Sequence, residues 1–294
     1  MFDPKYIVVS AVRNEAPFVK RTLSSMARQD AKPLVWLLVD DGSSDDTVAI
    51  VRNFAAKSSF IRIITATTAR DASIGGRIVA AFNQGYDLVR GIDHDFVVKL
   101  DCDLSFDRSY FSRLLERFNH DPSLGIASGI YLEPLSTGRW KQISMPAYHA
   151  AGACKAVRRE CFEQIGGFVT CRGWDTVDEI RAMTRGWTTK HFPELRMRHW
   201  KVEGSRIGAL RTSAMHGEVY YRTRGSLLFL ALKIAHRAFS YPWLVASGAL
   251  AFGYARAALR RSPRLLNEAE GRYYRALLKR RLWRFPRFRR PELA

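Results

Sequence analysis

The chain has 294 residues, is 47% hydrophobic, and carries 47 Lys+Arg against 28 Asp+Glu, a formal net charge of +19. That apolar content is ample for a core, and no repeat or low-complexity tract is visible. A disordered chain is thereby excluded, leaving one large domain or one domain with an appendage. The charge is uneven: residues 1–200 hold 27 Lys+Arg against 23 Asp+Glu, whereas residues 201–294 hold 20 against 5. Cys102, Cys154, Cys161 and Cys171 show no Cys-x-x-Cys spacing, so reduced thiols in a cytosolic protein are expected rather than a zinc site. An expected strand begins by residue 6, and no signal peptide is expected before it.

In chain order, Tyr6 to Ser10 reads as a strand, followed by Ala11-Val12-Arg13-Asn14-Glu15. Asn14 can cap a helix over 15–28 with Pro17 in its first turn. Leu34 to Val39 is a second apolar strand that stops at Asp40-Asp41-Gly42-Ser43-Ser44-Asp45-Asp46-Thr47. Gly42 permits a sharp turn, and Ser44 or Asp45 can cap a helix over 46–57 with Val48, Val51, Phe54 and Ala55 facing inward. Strands near 61–65 and 95–100 and helices near 77–90 and 108–119 continue the alternation. Strand–helix alternation of this kind argues for an α/β fold with a mostly parallel sheet and helices on both faces. Beyond it, strands are expected near 126–132, 140–146 and 188–192, with helices near 158–165 and 175–185. Residues 205–294 read as helices.

Val98-Lys99-Leu100-Asp101-Cys102-Asp103 carries the sharpest chemical signal. Side chains two apart in an extended segment point the same way, so Asp101 and Asp103 can converge on one hard cation. Magnesium-type ions favour one or two carboxylates plus substrate phosphate oxygens, and ligands of open α/β sheets bind at strand ends. Mg²⁺ or Mn²⁺ is therefore the expected cofactor. Arg77, opening a helix after Gly75-Gly76, and Lys99 are nearby cations for a phosphate or donor group; a buried ion pair is the alternative for Lys99.

Together these junctions resemble the family 2 inverting glycosyltransferases of the GT-A fold. The resemblance rests on Ser10 to Glu15, Val39 to Thr47, Asp101-Cys102-Asp103, Gly166-Gly167-Phe168, Gly173-Trp174-Asp175-Thr176-Val177-Asp178-Glu179-Ile180-Arg181 and Gly186-Trp187. It covers about residues 5–200. It implies a Rossmann-like sheet, with Ala11, Arg13 and Glu15 bordering the base and ribose of a nucleotide sugar. It also implies that Asp41 hydrogen-bonds the base beside Asp40, and that the acidic segment after Gly-Gly-Phe supplies a catalytic base. Trp174 fills a position where the family often has Glu, which leaves the base open between Asp175, the first choice, and Asp178. Glu179 would orient the acceptor or pair with Arg181. Some GT-A enzymes take a third metal ligand from a late His, a role that falls here on His199.

The C-terminal third is basic and apolar in patches. Ser226 to Leu232 and Pro242 to Leu259 are largely apolar, with Trp243 and Tyr254 beside Arg256, and a basic cluster runs from Lys279 to Arg290. Neither run reaches the ~20 uncharged residues of a full span. Trp and Tyr beside Arg and Lys suit the headgroup level of an anionic membrane; a plain helical subdomain or dimer contact is the alternative, and nucleic acid would not explain the apolar runs. The expected organisation is a catalytic domain over 1–204, with a nucleotide-binding half (1–120) and an acceptor-binding half (121–204), and a helical, membrane-associating region over 205–294. The expected reaction moves a sugar from a nucleotide donor to a hydroxyl of a lipid-linked glycan by metal-assisted single displacement, at the cytoplasmic face of the bacterial inner membrane. The alternatives are a polyprenyl-phosphate glycosyltransferase, a sugar nucleotidyltransferase and a non-catalytic glycan-binding protein. The nucleotidyltransferase would need a Gly-rich phosphate loop after the first strand, and Ala11-Val12-Arg13-Asn14 is not one.

Overall fold

β1 (Tyr6–Val12) is buried along nearly its whole length, and its residues alternate between two apolar layers. Tyr6, Val8 and Val12 join one core cluster, while Ile7 and Val9 join the other. This period-two split means that both faces of the strand are covered. The computed structural model describes residues 4–67, 74–202, 208–238 and 243–283. Pro242 and the basic residues from Arg284 to Arg290 lie outside the described residues.

From β1 the chain runs through α1 (Ala16–Ala27), β2 (Val35–Asp40), α2 (Thr47–Ala55), β3 (Ile61–Thr65), α3 (Ile74–Val89) and β4 (Phe96–Leu100). Then follow β5 (Leu104–Phe106), α4 (Tyr110–His120), β6 (Leu124–Pro134), β7 (Trp140–Gln142), β8 (Cys154–Arg158), α5 (Arg159–Gln164), α6 (Trp174–Thr184) and β9 (Thr188–His199). The sheet order is β3-β2-β1-β4-β8-β6-β9-β5, with β7 on β6. β3, β2, β1 and β4 pair in parallel, while β8 pairs antiparallel with both β4 and β6. Residues of α1, α2 and α4 fill one core cluster; those of α3, α5 and α6 fill the other. Helices on both faces of the sheet are thus as expected.

Several local expectations change. Glu15, not Asn14, occupies the position before α1 and makes no side-chain cap there, while Asn14 adopts a left-handed φ of 52°. Asn14 instead accepts the Ser44 N–H at 2.8 Å and ties the first strand-end loop to the second, a use of its short amide that local capping would forgo. The 140–146 strand is only Trp140–Gln142, and the 188–192 strand extends to His199 because β6 supplies a long partner. β5 and β8 were not foreseen. Each is short and takes its strand character from tertiary pairing.

The chain divides into two units, Met1–Glu203 and Gly204–Ala294. The second contains α7 (Ala209–Arg222), α8 (Leu227–Ala238), α9 (Trp243–Leu259) and α10 (Glu268–Trp283). α7 and α9 pack backbone to backbone: a Cβ at Gly217 would lie 2.0 Å from the Leu250 carbonyl oxygen, and one at Gly253 1.9 Å from that of Ala214. α10 starts with a reciprocal cap, in which Asn267 Oδ1 accepts from Glu270 N and Glu270 Oε2 from Asn267 N, both at 2.9 Å. Among the described residues no helix is long and apolar enough to cross a membrane.

Candidate active site

The parallel pairing brings three acidic or basic strand ends to one edge. Val12 is in register with Asp40, Val9 with Lys99, and Asp41 N donates to the Val12 carbonyl at 2.9 Å. The loops after β1, β2 and β4 therefore open side by side at the carboxyl edge of the sheet, where open α/β sheets bind ligands.

The first cluster surrounds Asp41. Arg77 of α3 meets it at 2.7 Å and Arg13 lies at 3.8 Å. Asp40 is buried and accepts the Ser43 N–H, so it shapes the turn before α2 rather than opening toward a ligand. Ala11 is half-buried and packs in the core layer beneath. Glu15 has its carboxylate on Lys201 at 2.5–2.6 Å, and Lys201 lies 3.8 Å from Asp103. Lys201 belongs to the site, but nothing in its local sequence marks it.

The second cluster is built by β4, β5 and β9. Pairing of Leu104 with His199, and of Trp200 N with the Asp103 carbonyl at 2.9 Å, sets the His199 ring beside Asp103. His199 Nε2 is 3.4 Å from Asp103 Oδ2, and its Nδ1 is 3.8 Å from Glu133. Lys99 Nζ holds Asp101 at 2.5 Å and donates to the Gly152 carbonyl at 2.7 Å, so the buried ion pair weighed for Lys99 is present. Burial pushes the Asp101 carboxyl up, against the pull of Lys99 and with the help of the Asp103 charge. Burial would raise Asp103 as well, but the His199 hydrogen bond and the charges of His199, Lys201 and Lys99 hold it below its ordinary value. Burial pulls the His199 imidazole down, yet Asp103, Asp101 and Glu133 raise it above its ordinary value.

These donors suit a hard divalent cation. Asp103 Oδ1 is buried with no hydrogen-bond partner, as is His199 Nδ1, and carboxylate oxygens are the ligands such ions prefer. The expected trio is nonetheless not a ready cage: among the described residues no three His, Cys, Asp or Glu side chains are grouped to hold a metal. Lys99 engages Asp101, and His199 is turned onto Asp103. An ion would complete its shell from substrate oxygens, as Mg²⁺ commonly does.

The third cluster is α6. Gly173 precedes it with φ 82°, a left-handed bend that suits glycine. Asp175 lies in the first turn, half-buried, and a Cβ at Gly152 would be 3.7 Å from its Cβ. Asp178 and Glu179 are buried. Lys155 of β8 reaches Asp178 at 2.9 Å, Glu179 at 3.3 Å and the Asp175 carbonyl at 3.2 Å. Glu179 also accepts from Ala150 N at 2.7 Å and contacts His149 Nδ1 at 3.0 Å, so it anchors the 149–152 segment from inside rather than facing an acceptor. Burial pushes the Asp178 carboxyl up to about 7 despite Lys155, with Glu179 adding to the rise.

The sheet register places Lys99 directly opposite Lys155. Like charges so paired repel. Here Asp101 neutralises one and Asp178 with Glu179 the other, while the Trp174 ring lies 5.4 Å from Lys99 Nζ and 5.1 Å from Lys155 Nζ. A cation over an indole face is attracted by the ring quadrupole. The departure noted at Trp174 thus has a physical role. Lys155 was missed by sequence reading, although a lone Lys between Cys154 and Ala156-Val157 signals a buried cation that needs partners.

A parallel run of four strands continued by a mixed half, in which β8 pairs antiparallel with β4 and β6 while β6 and β9 pair in parallel, with carboxylates gathered at the carboxyl edge, is the GT-A arrangement of glycosyltransferases. A mannosyltransferase from Pyrobaculum calidifontis, solved with GDP-Man and Mn²⁺, shares the fold at a TM-score of 0.59 and 18% identity, over 96% of this chain and 88% of that one. TarS residues 1–349 from S. aureus match at 0.50 and 14% identity, over 88% of this chain and 72% of that one. Residues 7–174 match the model of glycosyl transferase family 2, and the chain belongs to that family. Poly-beta-1,6-N-acetyl-D-glucosamine synthase from Staphylococcus aureus is 28% identical over 119 residues, 40% of this chain. The counterpart from Staphylococcus epidermidis is 27% identical over the same length. In both cases the match spans only 26% of the relative's length.

Proposed function

We propose that the protein transfers one sugar from a nucleotide-diphosphate donor to a hydroxyl of a lipid-linked glycan, by single displacement with inversion. The observation that carries this reading is the placement of Asp175. It stands half-open in the first turn of α6, while its neighbours Asp178 and Glu179 are tied to Lys155. Gly152, whose carbonyl holds Lys99, links it to the Asp101 side of the site.

In this reading Arg13, Asp41 and Arg77 grip the nucleotide, with Ala11, Glu15 and Asp40 shaping its cleft. Asp101 and Asp103, with His199, would hold Mg²⁺ or Mn²⁺, which when bound supplies Lewis-acid neutralisation of the departing diphosphate. Lys99 keeps Asp101 oriented. Asp175 accepts the proton of the acceptor hydroxyl as that oxygen attacks the anomeric carbon from the face opposite the diphosphate. The first turn of a helix also favours the charged carboxylate. The Pyrobaculum mannosyltransferase was solved with a nucleotide sugar and Mn²⁺, and the staphylococcal relatives are named for polysaccharide synthesis; both support the donor class and the setting.

The acceptor is lipid-linked and the enzyme works peripherally at the cytoplasmic face of a bacterial inner membrane. Support for this comes from residues 201–294, with their excess of 20 Lys+Arg over 5 Asp+Glu. The test is a thermal-shift screen of UDP, GDP and their sugars with and without Mn²⁺, followed by transfer assays with the donors that stabilise the fold. Stabilisation by a nucleoside diphosphate that requires the metal is expected. No response to any nucleotide would overturn the reading.

A further inference from the structure

Seven of the twelve large hydrophobic residues exposed among the described residues fall in α8 and α9. In α9, Val245, Gly248, Phe252, Ala255 and Leu259 are all exposed, and their spacing of three and four makes one helix face. That face is apolar throughout, with Phe252 61% and Leu259 86% exposed, and it ends at Arg260 and Arg261. In α8, Leu227 and Leu228 are 66% and 65% exposed, and Ala231, Leu232 and Ala235 continue the face. Isolated exposed leucines need no explanation, but a helix apolar on both its buried and its open side does.

A cavity of about 440 Å³ opens beside those leucines, with Arg224, Ser226, Arg264 and Arg275 in its lining. It contains three arginines and no acidic residue. Each guanidinium is oriented by backbone acceptors: Arg224 Nε on the Leu266 carbonyl at 2.8 Å, Arg275 on the Arg224 carbonyl at 3.2 Å, and Arg264 on the Tyr221 carbonyl while stacked 3.5 Å over the Tyr221 ring. Arg224 also pairs with Glu268 at 2.6 Å. A guanidinium offers five N–H donors, so anchoring by one or two leaves others for an anion, in a fork that matches phosphate oxygens. Ser226 leads into α8 and Leu227 and Leu228 open it, where backbone N–H groups lack partners within the helix and the dipole favours negative charge.

We propose that this cavity seats the phosphate of an anionic phospholipid, with Leu227 and Leu228 entering among its acyl chains and the open face of α9 lying in the same interface. The proposal rests on the membrane reading above and names the headgroup site within it. Charge complementarity selects an anionic lipid, and the leucines at the rim select an amphiphile over a free phosphate ion. Neither helix needs to cross the bilayer, because an interfacial helix buries one face only.

The test is sedimentation of the full chain with phosphatidylcholine vesicles, with and without phosphatidylglycerol. Wild type should prefer the anionic vesicles. Arg264→Gln with Arg275→Gln should lower that binding about thirtyfold without changing binding to neutral vesicles, since each basic residue near the surface contributes about 1 kcal/mol and two are removed. Leu227→Ser with Leu228→Ser, at positions too exposed to matter for folding, should weaken binding to both. If the glutamine variant binds as wild type while salt still weakens binding, the cavity is not the headgroup seat and the membrane reading survives. If wild type binds neither vesicle, both fall. If inorganic phosphate raises the melting temperature as much as a short-chain phosphatidylglycerol does, the site takes phosphate alone and the lipid assignment is overturned.

Discussion

Lys155 and Asp178 meet at 2.9 Å with both side chains shut away from solvent, 0% and 1% exposed. Glu179 completes the group at 3.3 Å from the same ammonium. Lys155 thus compensates Asp178 in a low-dielectric interior and shares Glu179 with the His149 ring, 3.0 Å away, beside the helix turn that carries Asp175. Removing Lys155 leaves the Asp178 carboxylate without a cationic partner. Lys155→Met should therefore cost about 3–5 kcal/mol of stability, the usual result of breaking a buried pair from one side. Chemical denaturation of the variant against wild type measures it, and a loss under about 1 kcal/mol would contradict the compensating role.

Asp178 also predicts a pH dependence of stability. Its carboxyl is pushed up to about 7 from an ordinary 3.8, chiefly by burial. Between those values the folded protein holds a proton that the unfolded chain has released. The contribution is fully present below the unfolded value and is lost as pH rises through about 7. His149 is raised above its ordinary 6.5 because the pull of Glu179 outweighs burial, so it acts in the same direction on the alkaline side. The melting temperature should fall from about pH 5 to about pH 8, and less steeply in Asp178→Asn. An unchanged slope in the variant would remove Asp178 as the source.

Catalysis should separate the two aspartates of α6. Asp175→Asn should lower kcat by about 10²–10⁴ with nucleotide binding little changed, the size of a general-base contribution. Asp178→Asn should retain most of the activity once folded, because Lys155 and burial keep its side chain from the acceptor. Steady-state kinetics with donor binding measured in parallel decides this. A dead Asp178→Asn beside an active Asp175→Asn reverses the assignment. Full activity in both would favour a lipid-phosphate acceptor, which needs little base assistance.

Asp101→Ala and Asp103→Ala should each abolish transfer while near-ultraviolet circular dichroism remains native. Their motivation is the shared strand end and the buried, unpartnered Asp103 Oδ1. Chelation of divalent ions should have the same effect in wild type. Transfer that persists in excess chelator, with either variant near wild type, would remove the metal from the proposal.

Lys201 bridges Glu15 and Asp103, beside the cleft proposed to take the nucleotide. Lys201→Met leaves those carboxylates facing an anionic donor without their shared cation. Donor affinity should fall about 10-fold to 100-fold, matching about 1.5–3 kcal/mol for a charge-assisted contact. Isothermal titration with the nucleotide identified by thermal shift provides the number. Unchanged affinity would confine Lys201 to a structural role.

Much of this molecule follows from local pattern alone. Apolar runs such as Leu34 to Val39, buried on both faces, must be strands sandwiched between helices, because alternate residues have to reach two separate layers. The carboxylates that end those runs lie at one sheet edge as soon as the strands pair in parallel, so Asp41, Asp101 and Asp103 were legible from spacing as a candidate site. The acidic helix and its two base candidates were legible only through the family resemblance carried by Gly166-Gly167-Phe168 and the segment that follows it. Choosing between those candidates was not, since Asp175 and Asp178 are one turn apart on the same helix. The choice depends on Lys155, which arrives from a five-residue strand whose existence depends on pairing with β4 and β6. Lys201, Glu133 and His149 reach the site by the same long-range route, and no window of sequence contains their partners. The close α7–α9 contact through Gly217 and Gly253 is likewise invisible locally, because a glycine in a helix signals a close approach only when the opposing backbone is known. Sequence determined the layers, the edge and the candidate chemistry of this protein, since these depend on burial period and charge along the chain. Tertiary structure alone decided which carboxylates are neutralised and which are open, because that depends on cations brought in from elsewhere in the fold.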